Sequence, residues 1–229
     1  MSQTKKSETI RNLKNVIPMK VTTKNKEYAA SDDVVAELNT TDVMYSSFKN
    51  LLANMIETHS KDGSDSLTKA PIFLGLIESA AENYKDFEKA KYTLEDELPV
   101  DDGHMIIEWN CDYVTHKVTY EIIKESNDTK SKKISVPEEI YDKVWDAQLK
   151  HQVVSDVITW LNDTHANDKK DVITSSPVFK GFVLLKARLL DDFSKAKDEM
   201  YNSVVPVEDK GKFSNWTLSY KTGELTLTE

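Results

Sequence analysis

A chain of 229 residues in which 39% of the side chains are hydrophobic is long enough to bury a core in one large domain or two small ones, which excludes a wholly disordered protein. Its 30% of charged residues and its formal net charge of -9 disfavour general affinity for phosphate backbones and anionic lipids. No apolar run approaches the roughly 20 residues of a membrane span, and no secretory apolar core is present near Met1, so we expect a cytoplasmic protein without a membrane partner.

Residues 1–24 form a basic amino-terminal segment. Glu8 is its one acidic residue, whereas its basic residues are Lys5, Lys6, Arg11, Lys14, Lys20 and Lys24. The stretch VIPMKVTT at the end of this segment is a candidate strand.

The first predicted module covers residues 25–124 and begins with an extended stretch, KEYAA from Lys26. Apolar side chains then recur at helical spacing and predict one apolar stripe, formed by Val43, Phe48, Leu51, Leu52, Met55 and Ile56. A second helix is predicted from Pro71 to about Leu98, with Thr68 as a candidate cap. Beyond this helix the period changes to two, which predicts a β-hairpin with strands in HMIIEWNCDY and VTYEII.

The second predicted module, residues 125–229, repeats this order. A shift of the chain by 106 residues along itself aligns His59 with His165 and Pro71 with Pro177, and roughly a third of the positions in the aligned region are identical. KKISV predicts a strand, and KFSNWTLSY with LTLTE predicts a second hairpin. Helical spacing is shown by Val153, Val154, Val157, Ile158 and Leu161, and a further helix with Ser175 or Ser176 as its cap is predicted to run to about Val204.

These patterns predict an α+β fold. We interpret the chain as a tandem duplication of one module, in which two or three helices pack on a small antiparallel β-sheet and a β-hairpin follows a long helix.

A polar frame recurs between the helices of each module, so that His59, Asp62 and Asp65 reappear as His165, Asp168 and Asp171. A histidine with two carboxylates has the chemistry of a hard-metal site or an acid–base set. A simpler structural interpretation, which we favour, places each histidine in the last turn of a helix, where its charge complements the helix dipole, and uses the aspartates for turns and caps.

A second basic cluster, formed by Lys130, Lys132 and Lys133, lies in KESNDTKSKK, which is typical of a solvated turn or a linker. Together with the repeated frame, this cluster is the candidate binding surface. Trp109 and Trp216 recur on the predicted strands and either line a groove or, as we favour, pack beneath the helices.

Signatures of catalysis are missing from the sequence. Cys111 is the only cysteine, so we expect neither an intrachain disulfide nor a cysteine-based metal cluster. The chain contains no Gly-rich phosphate loop, no Gly-x-Ser-x-Gly elbow and no His-Glu-x-x-His pair. We therefore predict no catalytic residue, no bound metal and no cofactor.

The sequence favours a non-catalytic protein-binding protein, such as a regulator, an inhibitor or an adaptor, whose two acidic modules engage a basic or symmetric protein partner. One alternative is association with nucleic acid through the basic amino-terminal segment. A second alternative is a metal-dependent enzyme that uses the repeated His and Asp loops. The abundance of Lys, Asn, Asp and Thr is typical of A/T-rich genomes such as those of bacteriophages. The oligomeric state is left open.

Overall fold

The computed structural model describes residues 24–124, 131–166 and 172–228. Within these ranges the elements in chain order are β1 (Lys24–Ala29), α1 (Asp32–His59), a 3-10 helix (Ser66–Lys69), α2 (Pro71–Glu97), β2 (His104–Asp112), β3 (Lys117–Lys124), β4 (Ser131–Ser135), α3 (Glu138–His165), α4 (Pro177–Val204), β5 (Asn215–Ser219) and β6 (Glu224–Thr228). The α+β prediction is confirmed, and the described residues of each half of the chain contain two α-helices.

The two β-sheets have the same topology. Each has three antiparallel strands, in the order β1-β3-β2 and β4-β6-β5, so that the second strand of each hairpin lies in the centre. The hairpin turns also correspond, because His116 with φ 56° and Gly223 with φ 66° both adopt the left-handed conformation just before the central strand. The shared order is what a duplication would leave, and the duplication itself stays an inference from the sequence.

The start of α4 follows from local sequence. Ser176 is its N-cap and accepts a hydrogen bond from the Phe179 backbone N–H at 3.2 Å, while Pro177 occupies the first turn, where its missing N–H is not needed. Thr68, by contrast, is not the cap that the sequence suggested for α2. It lies inside the 3-10 helix, and its hydroxyl donates to the Asp65 carbonyl oxygen at 2.8 Å.

The apolar stripe predicted on α1 is only partly correct. Leu52 and Ile56 are fully buried, but Val43 and Leu51 are 57% and 44% exposed. Helical spacing places side chains on a common face but does not reveal how much of that face a neighbour covers. The stripe predicted on α3 is confirmed, because Val153, Val154, Val157, Ile158 and Leu161 are all buried.

The described residues form two compact units. The first unit comprises the described residues within Met1–Thr40 and Glu88–Thr129. The second unit comprises those within Thr41–Phe87 and Lys130–Glu229. The boundaries of these two units differ from the boundaries of the modules predicted from the sequence. The division of the chain into segments 1–24, 25–124 and 125–229 stays a prediction.

The core of the first unit lies under the inner face of its sheet. Val118, Tyr120 and Ile122 alternate along β3 and are buried, as a period of two requires. The Tyr120 hydroxyl donates to the Pro99 carbonyl oxygen at 2.8 Å, so the buried ring keeps a partner for its polar end.

In the second unit a cluster of buried residues joins β6 to α3 and α4, and it contains Val136, Val144, Met200, Val205, Leu225 and Leu227. Trp216 is half-buried, packs against this cluster and stacks on Tyr201 at 5.9 Å between ring centroids. Trp109, in the first unit, is also half-buried and donates to Glu95 Oε1 at 3.0 Å.

In the described part of the chain, no helix combines the length and the apolar character needed to cross a membrane.

Candidate functional site

The two repeated histidines end their helices, as the structural interpretation predicts. His59 is the last residue of α1, and His165 is the last residue of α3. His59 Nδ1 pairs with the Asp62 carboxylate, whereas His165 Nε2 lies 2.8 Å from Glu57 Oε1 in the last turn of α1. Each histidine therefore pairs the carboxyl end of its own helix with a carboxylate, which is Asp62 for His59 and Glu57 for His165.

Asp65 is the N-cap residue of the 3-10 helix and pairs with Lys69 at 2.8 Å, and this hydrogen bond holds the pKa of the Asp65 carboxyl below its usual range. The same turn is pressed against α4. A β-carbon placed on Gly181 would lie 2.8 Å from Thr68 Oγ1 and 2.9 Å from Asp65 Cβ. Between α1 and α2, therefore, the residues of the polar frame form a compact loop that fits against a glycine of α4.

Three of the candidate binding residues, Asp168, Asp171 and Lys130, lie outside the described residues, as does most of the basic amino-terminal segment. Across the ranges that the structure describes, no three His, Cys, Asp or Glu side chains are grouped so that they could hold a metal ion.

Lys132 and Lys133 lie in the strand predicted for KKISV and not in the turn or linker predicted for KESNDTKSKK. They belong to strand β4, not to a solvated turn, because β4 pairs residue by residue with β6. Lys132 pairs with the buried Asp209, and Lys133 Nζ lies 3.2 Å from Glu224 Oε2. These ion pairs give both lysines a structural role at the sheet edge.

We expect Asp209→Asn to remove part of the acid dependence of stability. The hydrogen bond from Lys132 holds the pKa of Asp209 below its usual range, so its stabilisation is present above the unfolded-state pKa and is lost as pH falls through the folded-state pKa. Melting temperatures of the wild type and the variant should therefore differ most near neutral pH and converge as the pH falls from about 7 to about 3. Glu199→Gln, on an exposed carboxylate, is the control, and a constant difference at every pH would contradict this account.

The outward side of α4 carries exposed apolar residues that sequence reasoning did not single out. Leu184 is 67% exposed, Leu190 is 46% exposed and Val183 is 42% exposed. With the exposed Ala187 they occupy positions i, i+1, i+4 and i+7, which adjoin one another on a helix surface. The result is one apolar stripe and not scattered single residues.

The next turns of α4 are acidic. Asp191 and Asp198 lie seven and fourteen residues after Leu184 and continue its side of the helix, whereas Asp192 and Glu199 lie on the line of the buried Leu185. Asp191, Asp192, Asp198 and Glu199 are exposed, and among the described residues only Asp191 has an ion pair, with Lys195 at 2.6 Å. We call the stripe and the charged residues that continue its side the α4 outer face, which comprises Val183, Leu184, Ala187, Leu190, Asp191, Lys195 and Asp198. The exposed Arg188 lies at its border, one turn after Leu184.

Two open depressions flank the acidic end of this face. One, of about 530 Å³, is lined by Lys195, Asp198, Glu199, Asn202 and Ser203. The other, of about 350 Å³, is lined by Ser194, Lys197, Asp198, Ser214, Asn215 and Trp216. Lys197 Nζ lies 5.0 Å from the centre of the Trp216 ring, so this cation is held against an aromatic face. Both depressions offer carboxylates and hydroxyls to an incoming side chain.

One signal in the sequence identifies this face in retrospect. FVLLKARLL contains more large apolar residues than one buried stripe of a helix can accommodate, because Phe182 and Leu185 already fill the buried side.

Comparison of the chain with known protein families, with curated proteins and with solved structures finds no match.

Proposed function

We propose that the chain is a non-catalytic protein-binding protein, and that its α4 outer face binds a basic amphipathic helix of a partner protein. The observation that carries this proposal is the exposed apolar stripe of Val183, Leu184 and Leu190 on an otherwise polar helix surface. Apolar patches rimmed by charged residues are typical of protein interaction sites on soluble proteins.

The charge of the face supports a basic partner. The turns after the stripe contain four exposed acidic residues, of which Asp191 and Asp198 lie on the α4 outer face. The exposed cations nearby are Lys195 and, at the border of the stripe, Arg188, and the chain as a whole has a formal net charge of -9. A helix with an apolar stripe followed by Lys or Arg residues would match both halves of the face. The apolar half would supply most of the affinity, and the acidic half would select the partner and its direction.

The experiment compares affinity capture by three tagged proteins, namely the wild type, Leu184→Glu and Ile72→Glu, from a lysate of the source cells with and without nuclease treatment. Ile72 is 72% exposed in the first turn of α2 and provides a matched control for the loss of an exposed apolar side chain. We expect a basic protein to be retained by the wild type and by Ile72→Glu, and Leu184→Glu to bind it about thirtyfold more weakly, which corresponds to a loss of about 2 kcal/mol.

Circular dichroism of the three proteins provides the folding control, because exposed substitutions of this kind change the free energy of unfolding by no more than about 0.5 kcal/mol. Equal retention of the basic protein by all three would exclude the α4 outer face as its site. Loss of every retained protein after nuclease treatment would favour the nucleic-acid alternative instead.

A further inference from the structure

Strand β2 is an open edge of the first sheet. Within the described residues its backbone pairs only with β3, and it is nine residues long, against six for the opposite edge strand, β1. Lysines protect edge strands from added strands, and Lys24 and Lys26 lie on β1, whereas the β2 sequence HMIIEWNCD contains none.

The regular part of this edge runs from Glu108 to Asp112. The register with β3 shifts between Ile106 and Glu108, and such a bulge interrupts the hydrogen-bonding row of a strand. From Glu108 onward the pairing is continuous, ending with Asp112 opposite Lys117. We call the backbone of Glu108–Asp112 that faces away from β3 the β2 outer edge.

The two faces of this stretch differ in chemistry. Trp109 and Cys111 lie opposite Tyr120 and Val118, whose side chains are buried, and so they belong to the inner face of the sheet. Glu108, Asn110 and Asp112 alternate with them on the outer face. A strand added here would therefore meet apolar groups on one face and carboxylates on the other.

The outer face also contains an unfavourable pair. Glu108 lies directly opposite Glu121 of β3, and like charges in this position repel each other. Asp112 is exposed, and its Oδ1 accepts hydrogen bonds from the backbone N–H groups of Val114 at 2.9 Å and Thr115 at 3.2 Å. These bonds favour the charged form of Asp112, and a cation next to Glu108 would relieve the repulsion between the two glutamates.

We propose that the β2 outer edge binds an extended basic segment of a partner protein, which adds to the sheet as a fourth strand. The segment would place Lys or Arg opposite Glu108 and Asp112, a polar residue opposite Asn110, and β-branched residues opposite Trp109 and Cys111. This surface is built from residues that the α4 outer face does not contain, so the proposal goes beyond the function given above.

A second copy of the chain fits this edge poorly. Antiparallel pairing of the whole of β2 with its own counterpart would set Glu108 opposite Glu108, and pairing of Glu108–Asp112 alone would set Glu108 opposite Asp112 twice. Both arrangements oppose like charges, whereas a basic segment from another protein opposes unlike charges in the same positions.

The experiment measures binding of the acetylated and amidated peptide TKVTVKT to the full chain by isothermal titration calorimetry. A second peptide of the same sequence is N-methylated at both valines and at the central threonine, which keeps its charge and removes the three central backbone donors. Two variants of the chain, Glu108→Lys and Glu27→Lys, make the same charge change on the outer faces of opposite edge strands, since Glu27 lies on β1.

We expect binding to be about tenfold weaker for the N-methylated peptide and for Glu108→Lys, and to change less than about threefold for Glu27→Lys. Equal affinity for the two peptides would show attraction by charge alone and would overturn strand addition. No binding of TKVTVKT to the wild type would overturn the proposal. Tighter binding of the peptide VIPMKVTT, residues 16–23, would identify the chain's own amino-terminal segment as the occupant, and a dimer abolished by Glu108→Lys would identify a second copy. Either result would overturn the proposal of a separate partner.

Discussion

Phe182→Ala is expected to lower the free energy of unfolding by about 3–5 kcal/mol. Phe182 on α4 has no exposed surface and packs edge-to-face on the equally buried Phe73 of α2, with 5.7 Å between ring centroids. Removing the ring would leave a cavity and would also cost Phe73 its aromatic partner. Urea denaturation followed by tryptophan fluorescence would measure the loss.

Two further variants test this account. Leu184→Ala changes an exposed residue two positions along the same helix and should alter stability by no more than about 0.5 kcal/mol. Phe182→Leu fills most of the site and should cost less than the alanine variant, about 1.5 kcal/mol. Equal unfolding midpoints for Phe182→Ala and Leu184→Ala would show that the contact between Phe73 and Phe182 does not stabilise the fold.

Gly181→Ala should destabilise the protein by roughly 1–2 kcal/mol even though alanine is the better helix former. The new methyl group would lie under 3.0 Å from both Thr68 Oγ1 and Asp65 Cβ. Thr68 is buried and its hydroxyl is bonded to the Asp65 carbonyl oxygen, so neither neighbour is the flexible end of a long side chain. The turn would have to move away from α4.

Gly75→Ala, at the glycine that the sequence alignment pairs with Gly181, is a matched control. Gly75 lies within α2 at the position equivalent to Gly181, but a β-carbon placed on it would have no atom within 4 Å. Removal of a helical glycine without a clash should stabilise the protein by about 0.5–1 kcal/mol. Opposite signs for the two substitutions in the same denaturation assay are the expected result. Stabilisation by both would show that the turn at Thr68 yields without cost.

The types and order of the elements were largely predictable. The hairpins were recognised from a period of two, and α4 was recognised from its cap and first-turn proline, because both signals act within a few residues. Strand β4 was predicted as KKISV, yet the lysines in it were assigned to a solvated turn. Asp209, the partner of Lys132, lies far along the chain, and no local pattern indicates that the two meet.

The candidate site was less predictable. The sequence correctly placed His59 and His165 in the last turns of their helices, but it did not indicate that His165 would pair with the carboxylate of Glu57. It assigned Val43 and Leu51 to one apolar stripe without indicating that both are exposed, and it overlooked the exposure of Leu184. Helical spacing sorts residues by direction, whereas exposure depends on which other segments cover each direction.

The sequence by itself determined the α+β composition, the approximate position of each α-helix and hairpin, the repeated order of elements and the acidic character of the chain, because these depend on periodicity, caps and charge. Three features were decided only by the tertiary structure. Gly181 faces Thr68, Asp209 forms an ion pair with Lys132, and one side of α4 stays exposed. Contacts of this kind join segments that are distant in sequence. They depend on how the side chains of two particular segments pack together, and no local pattern in the sequence encodes that fit.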